Sequence, residues 1–178
     1  MAEEKKEAWL NYLALTTVIF AVCATLSTFK GGGYSTRAVM SQSQASDEWA
    51  FFQAKAIKSY MYQMQKDNLE LKLHELPKNS ASDAINQYQT KLTDYSKKIE
   101  KYELEKVDIQ EKAKQREGVR DDAQKHSQKF GMAIIFLQIS ILLCSIAGLL
   151  KKKMVWYAGL VTGFAGLIFF ADGFYLFL

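Results

Sequence analysis

Apolar residues are concentrated in three long stretches that polar sequence separates. They cover residues 8–29, 130–150 and 154–178, and Asp172 is the only Asp, Glu, Lys or Arg among them. A helix needs about 20 apolar residues to cross the hydrocarbon core of a bilayer, which is about 30 Å thick. Each stretch is long enough, so the pattern predicts three transmembrane helices.

The first stretch is predicted to be a retained anchor, and the short loop between the other two sets the orientation. An apolar run of this length exceeds the roughly 7–15 residues of a signal peptide. The loop Lys151-Lys152-Lys153 should stay in the cytoplasm, because lysines in short loops favour that side. The N-terminus then lies in the cytoplasm and residues 31–129 outside it; the inverted topology is the alternative.

The polar insert carries apolar residues at alternating steps of three and four, which is the spacing of a helical seam. Lys106 is the one charged residue in the series of the second half. The predicted seam of the first half contains Ala50, Ala54, Ile57, Met61, Met64, Asn68 and Leu71. That of the second half contains Ile85, Tyr88, Leu92, Tyr95, Ile99, Tyr102, Lys106, Ile109 and Ala113.

A turn at residues 76–79 is predicted between the two helices, because Pro77 stops a helix and Ser80 can cap the next one. This turn would set Ile57 opposite Ile99. The second helix is expected to continue into the second span, whereas three successive glycines at 31–33 predict a flexible joint after the first span.

The predicted fold is therefore an all-α membrane protein with three transmembrane helices. An antiparallel coiled-coil helical hairpin is inserted between the first and the second of them. The expected domains are an N-terminal tail with the first transmembrane helix (1–30), an extramembrane helical hairpin (31–129) and a transmembrane hairpin (130–178).

Charge and composition narrow the class of function. Of the 42 charged residues, 33 lie between Lys30 and Lys129, and the net charge of +4 is too small to favour nucleic acid as a partner. No phosphate-binding loop and no constellation of nucleophile, base and acid is apparent. We expect a protein that is not an enzyme and that has no metal or cofactor.

Several ionisable and small residues are candidates for a functional role or for close helix packing. Asp172 is a candidate functional residue because a charge in lipid is costly, although a position near the interface would leave it exposed. His74 and His126 are expected to be solvated, and Cys23 and Cys144 to be small apolar residues. A stripe of small residues, Gly159, Gly163 and Gly166, predicts close helix packing, either on the second span or on another subunit.

Aromatic residues off the predicted seam suggest a further partner. Trp49, Phe51, Phe52, Tyr60 and Tyr62 spread apolar surface around more than one helix face. Such a distribution favours a homo-oligomer in which hairpins pack together. The alternative is that these side chains lie against the membrane surface.

The stretch from Trp49 to Lys58, Trp-Ala-Phe-Phe-Gln-Ala-Lys-Ala-Ile-Lys, resembles the signature of a family of small bacterial inner-membrane proteins of unknown function. That signature is Trp-Ala-x-Tyr-Gln-Ala-Lys-x-Ile-Lys, so Phe52 stands where a tyrosine is usual. The resemblance implies a bacterial inner membrane and supplies no activity. Gln53, Lys55 and Lys58 lie off the predicted seam and could contact a neighbour.

These features together predict an oligomeric scaffold or accessory subunit that acts through its coiled-coil hairpin. Its expected partners are the lipid bilayer, further copies of itself and a larger membrane complex. The alternative is a subunit of a channel or transport assembly with Asp172 in the membrane region.

Overall fold

The computed structural model describes residues 2–75 and 82–177, and for residues 2–7 it describes the backbone alone. The described chain forms three α-helices: α1 is Ala2–Glu75, α2 is Ser82–Leu150 and α3 is Lys153–Tyr175. The prediction of an all-helical chain is confirmed, and α2 runs without a break into its apolar part. The predicted turn at 76–79 and its cap Ser80 lie outside the described residues.

Each of the three described helices contains a segment that is long and apolar enough to cross a membrane. Hydroxyl groups inside these segments donate to carbonyls of the preceding turn. Thr17 and Thr28 donate to the carbonyls of Leu13 and Ala24, at 2.8 and 2.9 Å. These bonds satisfy polar groups that would otherwise be costly in an apolar environment.

A tight turn at the lysine loop ends α2. Lys151 adopts a left-handed conformation with φ of 51°. The Lys152 N–H donates to the carbonyl of Ala147 at 3.2 Å, which is the bond of a Schellman cap. The chain can therefore reverse within two residues and begin α3 at Lys153.

The chain divides into two compact units, and α1 and α2 contribute to both. The three-helix unit comprises Met1–Met40 and Val119–Leu178, and the two-helix unit comprises Ser41–Gly118.

The core of the three-helix unit is formed where apolar side chains of all three helices meet. Phe20 from α1 and Leu137 and Cys144 from α2 are buried in one cluster, against which Leu160 of α3 packs. A second cluster lies around Trp9, whose ring is 6.0 Å from that of Trp156.

In the two-helix unit, contacts run in opposite directions along α1 and α2. Ser59 donates to Glu103 at 2.7 Å, and Tyr62 contacts the rings of Tyr95 and Tyr102 at 5.6 and 5.9 Å. The two segments are thus antiparallel neighbours. Their contacts combine hydrogen bonds with aromatic packing.

The expected flexible joint at residues 31–33 is wrong, because α1 continues through all three glycines. Gly31 lies where α1 and α2 approach closely: a Cβ there would be 3.0 Å from the Cβ of Phe130. The hydroxyl of Ser127 also donates to the Gly31 carbonyl at 3.1 Å. At this position glycine provides room for a neighbouring helix rather than a hinge.

Candidate functional site

The glycine stripe of α3 packs on α2 of the same chain and, at Gly163, also on Phe20 of α1. Gly159, Gly163 and Gly166 are all buried. A Cβ at Gly166 would lie 2.8 Å from the Cγ of Leu137, closer than side chains pack. The hydroxyl of Ser140 donates to the Gly159 carbonyl at 2.6 Å. This contact settles a choice that the sequence left open, and it leaves these glycines buried within the chain.

Asp172 is fully buried near the end of α3. Its Oδ2 lies 2.9 Å from the ammonium group of Lys129 on α2, and its Oδ1 accepts from the Phe177 N–H at 2.7 Å. The expectation that Asp172 is exposed is therefore wrong, because its side chain is buried within the protein. A buried carboxylate is tolerated where a cation and hydrogen bonds compensate for lost water, and both are present.

His126 lies one turn before Lys129 on α2 and contacts the same part of α3 in the three-helix unit. Its Nδ1 is 2.8 Å from the Gly173 carbonyl oxygen. Since a carbonyl can only accept, Nδ1 carries the proton and donates. The imidazole also stacks on Tyr34 of α1, with ring centroids 4.5 Å apart. The prediction of a solvated His126 is wrong, whereas His74 is exposed.

These contacts form a polar cluster that ties three helices together, which we call the polar clamp: Tyr34, His126, Lys129, Asp172 and Gly173. Glycine is required in it, because a Cβ at Gly173 would lie 2.8 Å from a ring carbon of Phe130. Among the described residues, no group of three or more His, Cys, Asp or Glu side chains could hold a metal ion. The clamp residues bind one another across the helices.

Trp49 and Lys55 of α1 contact α2 in the two-helix unit. The indole Nε1 of Trp49 donates to Glu117 at 2.9 Å. Lys55 forms an ion pair of 2.6 Å with Glu105, and its ammonium lies 5.3 Å from the centre of the Tyr102 ring. The hydrogen bond from Lys55 lowers the pKa of Glu105. Lys55 therefore contacts α2.

The series predicted to be the seam of α1 is instead exposed. Ile57 and Met64 are 60% and 65% exposed, and Met61 and Leu71 are comparable. The predicted pairing of Ile57 with Ile99 is wrong for the same reason. We call this series the outer stripe: Ala50, Ala54, Ile57, Met61, Met64, Asn68 and Leu71, all of them exposed.

A different heptad series on α1 faces α2. Its members are buried or half-buried: Ala45, Glu48, Phe52, Lys55, Ser59, Tyr62, Lys66, Leu69 and Leu73. If the outer stripe occupies heptad positions a and d, this series occupies b and f, on the opposite side of the helix. α1 thus has two faces with heptad spacing, and only one of them is covered by the residues that the structure describes.

The other residues of the polar insert singled out from the sequence lie at exposed positions on α1 or at half-buried or buried positions on α2. Gln53 and Lys58 are exposed beside the outer stripe. On α2 the predicted series is half-buried at Ile85, Tyr88, Leu92, Tyr95, Ile99, Tyr102 and Lys106 and buried at Ile109 and Ala113.

Sequence reasoning missed several residues that make these contacts. Lys129 directly precedes the apolar part of α2, but pairing it with Asp172 requires knowledge of how the ends of α2 and α3 are aligned. Nothing in the local sequence indicated that Tyr34 would stack on His126. Ser59 and Glu103 were passed over because polar residues are not counted in an apolar series.

Comparison with known proteins gives a family without an assigned activity. The chain matches no curated protein. It also matches no solved structure. The model of a domain of unknown function, DUF4337, matches residues 9–176, and the protein therefore belongs to this family.

Proposed function

We propose that this protein is a non-enzymatic membrane scaffold or accessory subunit that self-associates through its two-helix unit. The observation that carries the proposal is the outer stripe. Seven positions at heptad spacing along α1 are exposed, and four of them are the large apolar residues Ile57, Met61, Met64 and Leu71. A stripe of this kind on a polar unit is typical of a surface that binds another protein.

Membrane insertion is supported by the surface of the three-helix unit. Large apolar side chains such as Phe29, Leu149 and Val161 are exposed there, at 77%, 84% and 73%. A bilayer would cover such side chains. With the lysine loop in the cytoplasm, three crossings put the N-terminus on the same side and the two-helix unit in the periplasm of a bacterial cell.

A structural role is supported by how the polar side chains are used. The polar clamp and the pairs Lys55–Glu105 and Ser59–Glu103 connect one helix with another. Their donors and acceptors already meet within the protein, which suits residues that hold helices in place. Antiparallel packing of α1 on α2 then presents the outer stripe to a partner in the manner of a coiled-coil hairpin.

The alternative of a channel or transport subunit has less support. It depends on Asp172 as a group available to a passing ion. The carboxylate of Asp172 is engaged by Lys129 and by the Phe177 N–H. We therefore do not assign Asp172 an ion-conducting role.

Co-purification of two differently tagged full-length copies tests the proposed function. Both copies are expressed in one cell, solubilised in mild detergent and captured through one tag. We expect the second tag in the captured fraction. Copies expressed separately and mixed after solubilisation are the control for association in detergent. Capture of only one tag from co-expressing cells would contradict self-association.

A further inference from the structure

We propose that the outer stripe of α1 is the seam of a parallel, in-register contact with a second copy of this chain. This inference rests on the proposed self-association and assigns a surface and an orientation to it. The stripe covers residues 50–71 in alternating steps of four and three. Such spacing is complementary to another helix, because the knobs of each helix fit the holes of the other.

The side of α1 on which the stripe lies makes this contact possible without rearrangement. The opposite face already packs on α2 through residues such as Ser59 and Tyr62. A partner helix on the outer stripe would leave α1 between two neighbours. The exposed aromatic residues Phe51 and Tyr60 lie at the flanking e and g positions, so the apolar surface is wider than the seam itself.

Asn68 points to a second copy in register. It is the one polar residue in the stripe and occupies an a position. A single asparagine at such a position costs stability but sets register and oligomeric state, because two asparagines can bond each other across the seam. In a parallel dimer of identical helices, Asn68 faces Asn68 of the partner.

Charges beside the stripe are complementary in the same arrangement. In a parallel coiled coil, a g residue faces the e residue of the following heptad on the partner. Asp67 at g would therefore face Lys72 at e, and each is exposed. The g residues Gln53 and Tyr60 would face Lys58 and Gln65, so no like charges meet. Two copies inserted with the same topology also run α1 in the same direction.

Disulfide crosslinking in native membranes tests the proposal. Ile57→Cys and Leu71→Cys are made separately in full-length Cys23→Ala/Cys144→Ala protein, with exposed Gln63→Cys, which is off both faces, as the matched control. In a parallel in-register seam, each substituted position meets its own copy within the reach of a disulfide. We expect both stripe variants to crosslink at least tenfold more than the control.

The outcomes separate the orientation from self-association itself. Crosslinking at only one stripe position, or at neither, would overturn the parallel seam even where the two tagged copies co-purify. Failure of co-purification would instead overturn the proposed function. If the cysteine-free background does not accumulate, Met64→Glu and Gln63→Glu in the native background replace it. A tenfold loss of co-purification by Met64→Glu alone supports the outer stripe as the surface of contact, and equal recovery of both variants overturns it.

Discussion

At the scale of single residues, Asp172 determines how the end of α3 is held. Its backbone carbonyl accepts from the Leu176 N–H at 2.8 Å, and its carboxylate accepts from the next N–H. A negative charge at the C-terminal end of a helix is unfavourable to the helix dipole. The ammonium of Lys129 offsets that charge, so the pair fastens α3 to α2.

Replacement of Lys129 by methionine is expected to destabilise the three-helix unit. The change keeps the apolar stem but removes the cation that faces the buried carboxylate, which costs about 3 kcal/mol in such pairs. Adding Asp172→Asn should recover part of the loss, because the uncharged amide can still accept from the Phe177 N–H. Unfolding of the full chain in detergent, followed by circular dichroism, measures both effects. A Lys129→Met protein within about 0.5 kcal/mol of wild type would contradict the argument.

The sequence predicts that a residue packs closely more readily than it predicts which residue is the partner. The spacing of the three glycines by four and three residues, on one face of α3, predicted close helix packing. The contact of Gly166 with Leu137 is an example of such packing. The surroundings of Asp172 were not predicted, because Lys129 is 43 positions away and the ends of α2 and α3 had to be aligned first.

At the scale of helices, α1 shows why apolar spacing can select the wrong face. The outer stripe holds Ile57, Met61 and Met64, whereas the face against α2 includes Lys55 and Ser59 at the same spacing. Counting apolar residues favours the first series. The second packs on α2 because its polar groups find partners there, including Glu105 and Glu103. The pattern of a single sequence shows that a helix face has heptad spacing, but it does not show which helix packs on that face.

The helix boundaries were predicted where the sequence has a local signal. The absence of proline from α2 correctly predicted one helix from the polar insert into the apolar part. The three successive glycines of α1 predicted a break in the helix. The helix continues through them, and Gly31 packs against Phe130 of α2.

Acid is expected to weaken the contact between α1 and α2. Hydrogen bonds from Lys106 and Ser59 lower the pKa of Glu103, and one from Lys55 lowers that of Glu105. Carboxylates with lowered pKa values stabilise the folded state fully above their ordinary pKa of 4.5, and lose this effect as pH falls through the lowered values.

Thermal unfolding of the full chain at pH 7 and at lower pH measures this effect, with Glu103→Gln/Glu105→Gln as the comparison. The wild type should have the higher Tm at pH 7, and the difference should shrink progressively below pH 4.5. A Tm difference that is unchanged by acid would show that these carboxylates do not contribute through their charge.

At the scale of the whole molecule, the two units use their apolar residues differently. In the three-helix unit, exposed apolar residues surround a packed core, which suits contact with lipid. In the two-helix unit the outer stripe forms a line of exposed apolar residues along α1, which suits contact with protein, and Leu104 and Val107 are exposed on α2. A seam of about three heptads is marginal between free helices, but copies confined to one membrane meet at a high effective concentration. We therefore expect an assembly whose stability depends on the outer stripe.

The mass of the full-length protein in lipid nanodiscs, measured for wild type, Met64→Glu and Gln63→Glu, tests this dependence most directly. Both substitutions add one negative charge at neighbouring exposed positions, but only Met64 lies on the stripe. We expect a mass of at least two chains for wild type and Gln63→Glu, and of one chain for Met64→Glu. A monomeric wild type, or a Met64→Glu protein with the wild-type mass, would contradict the account.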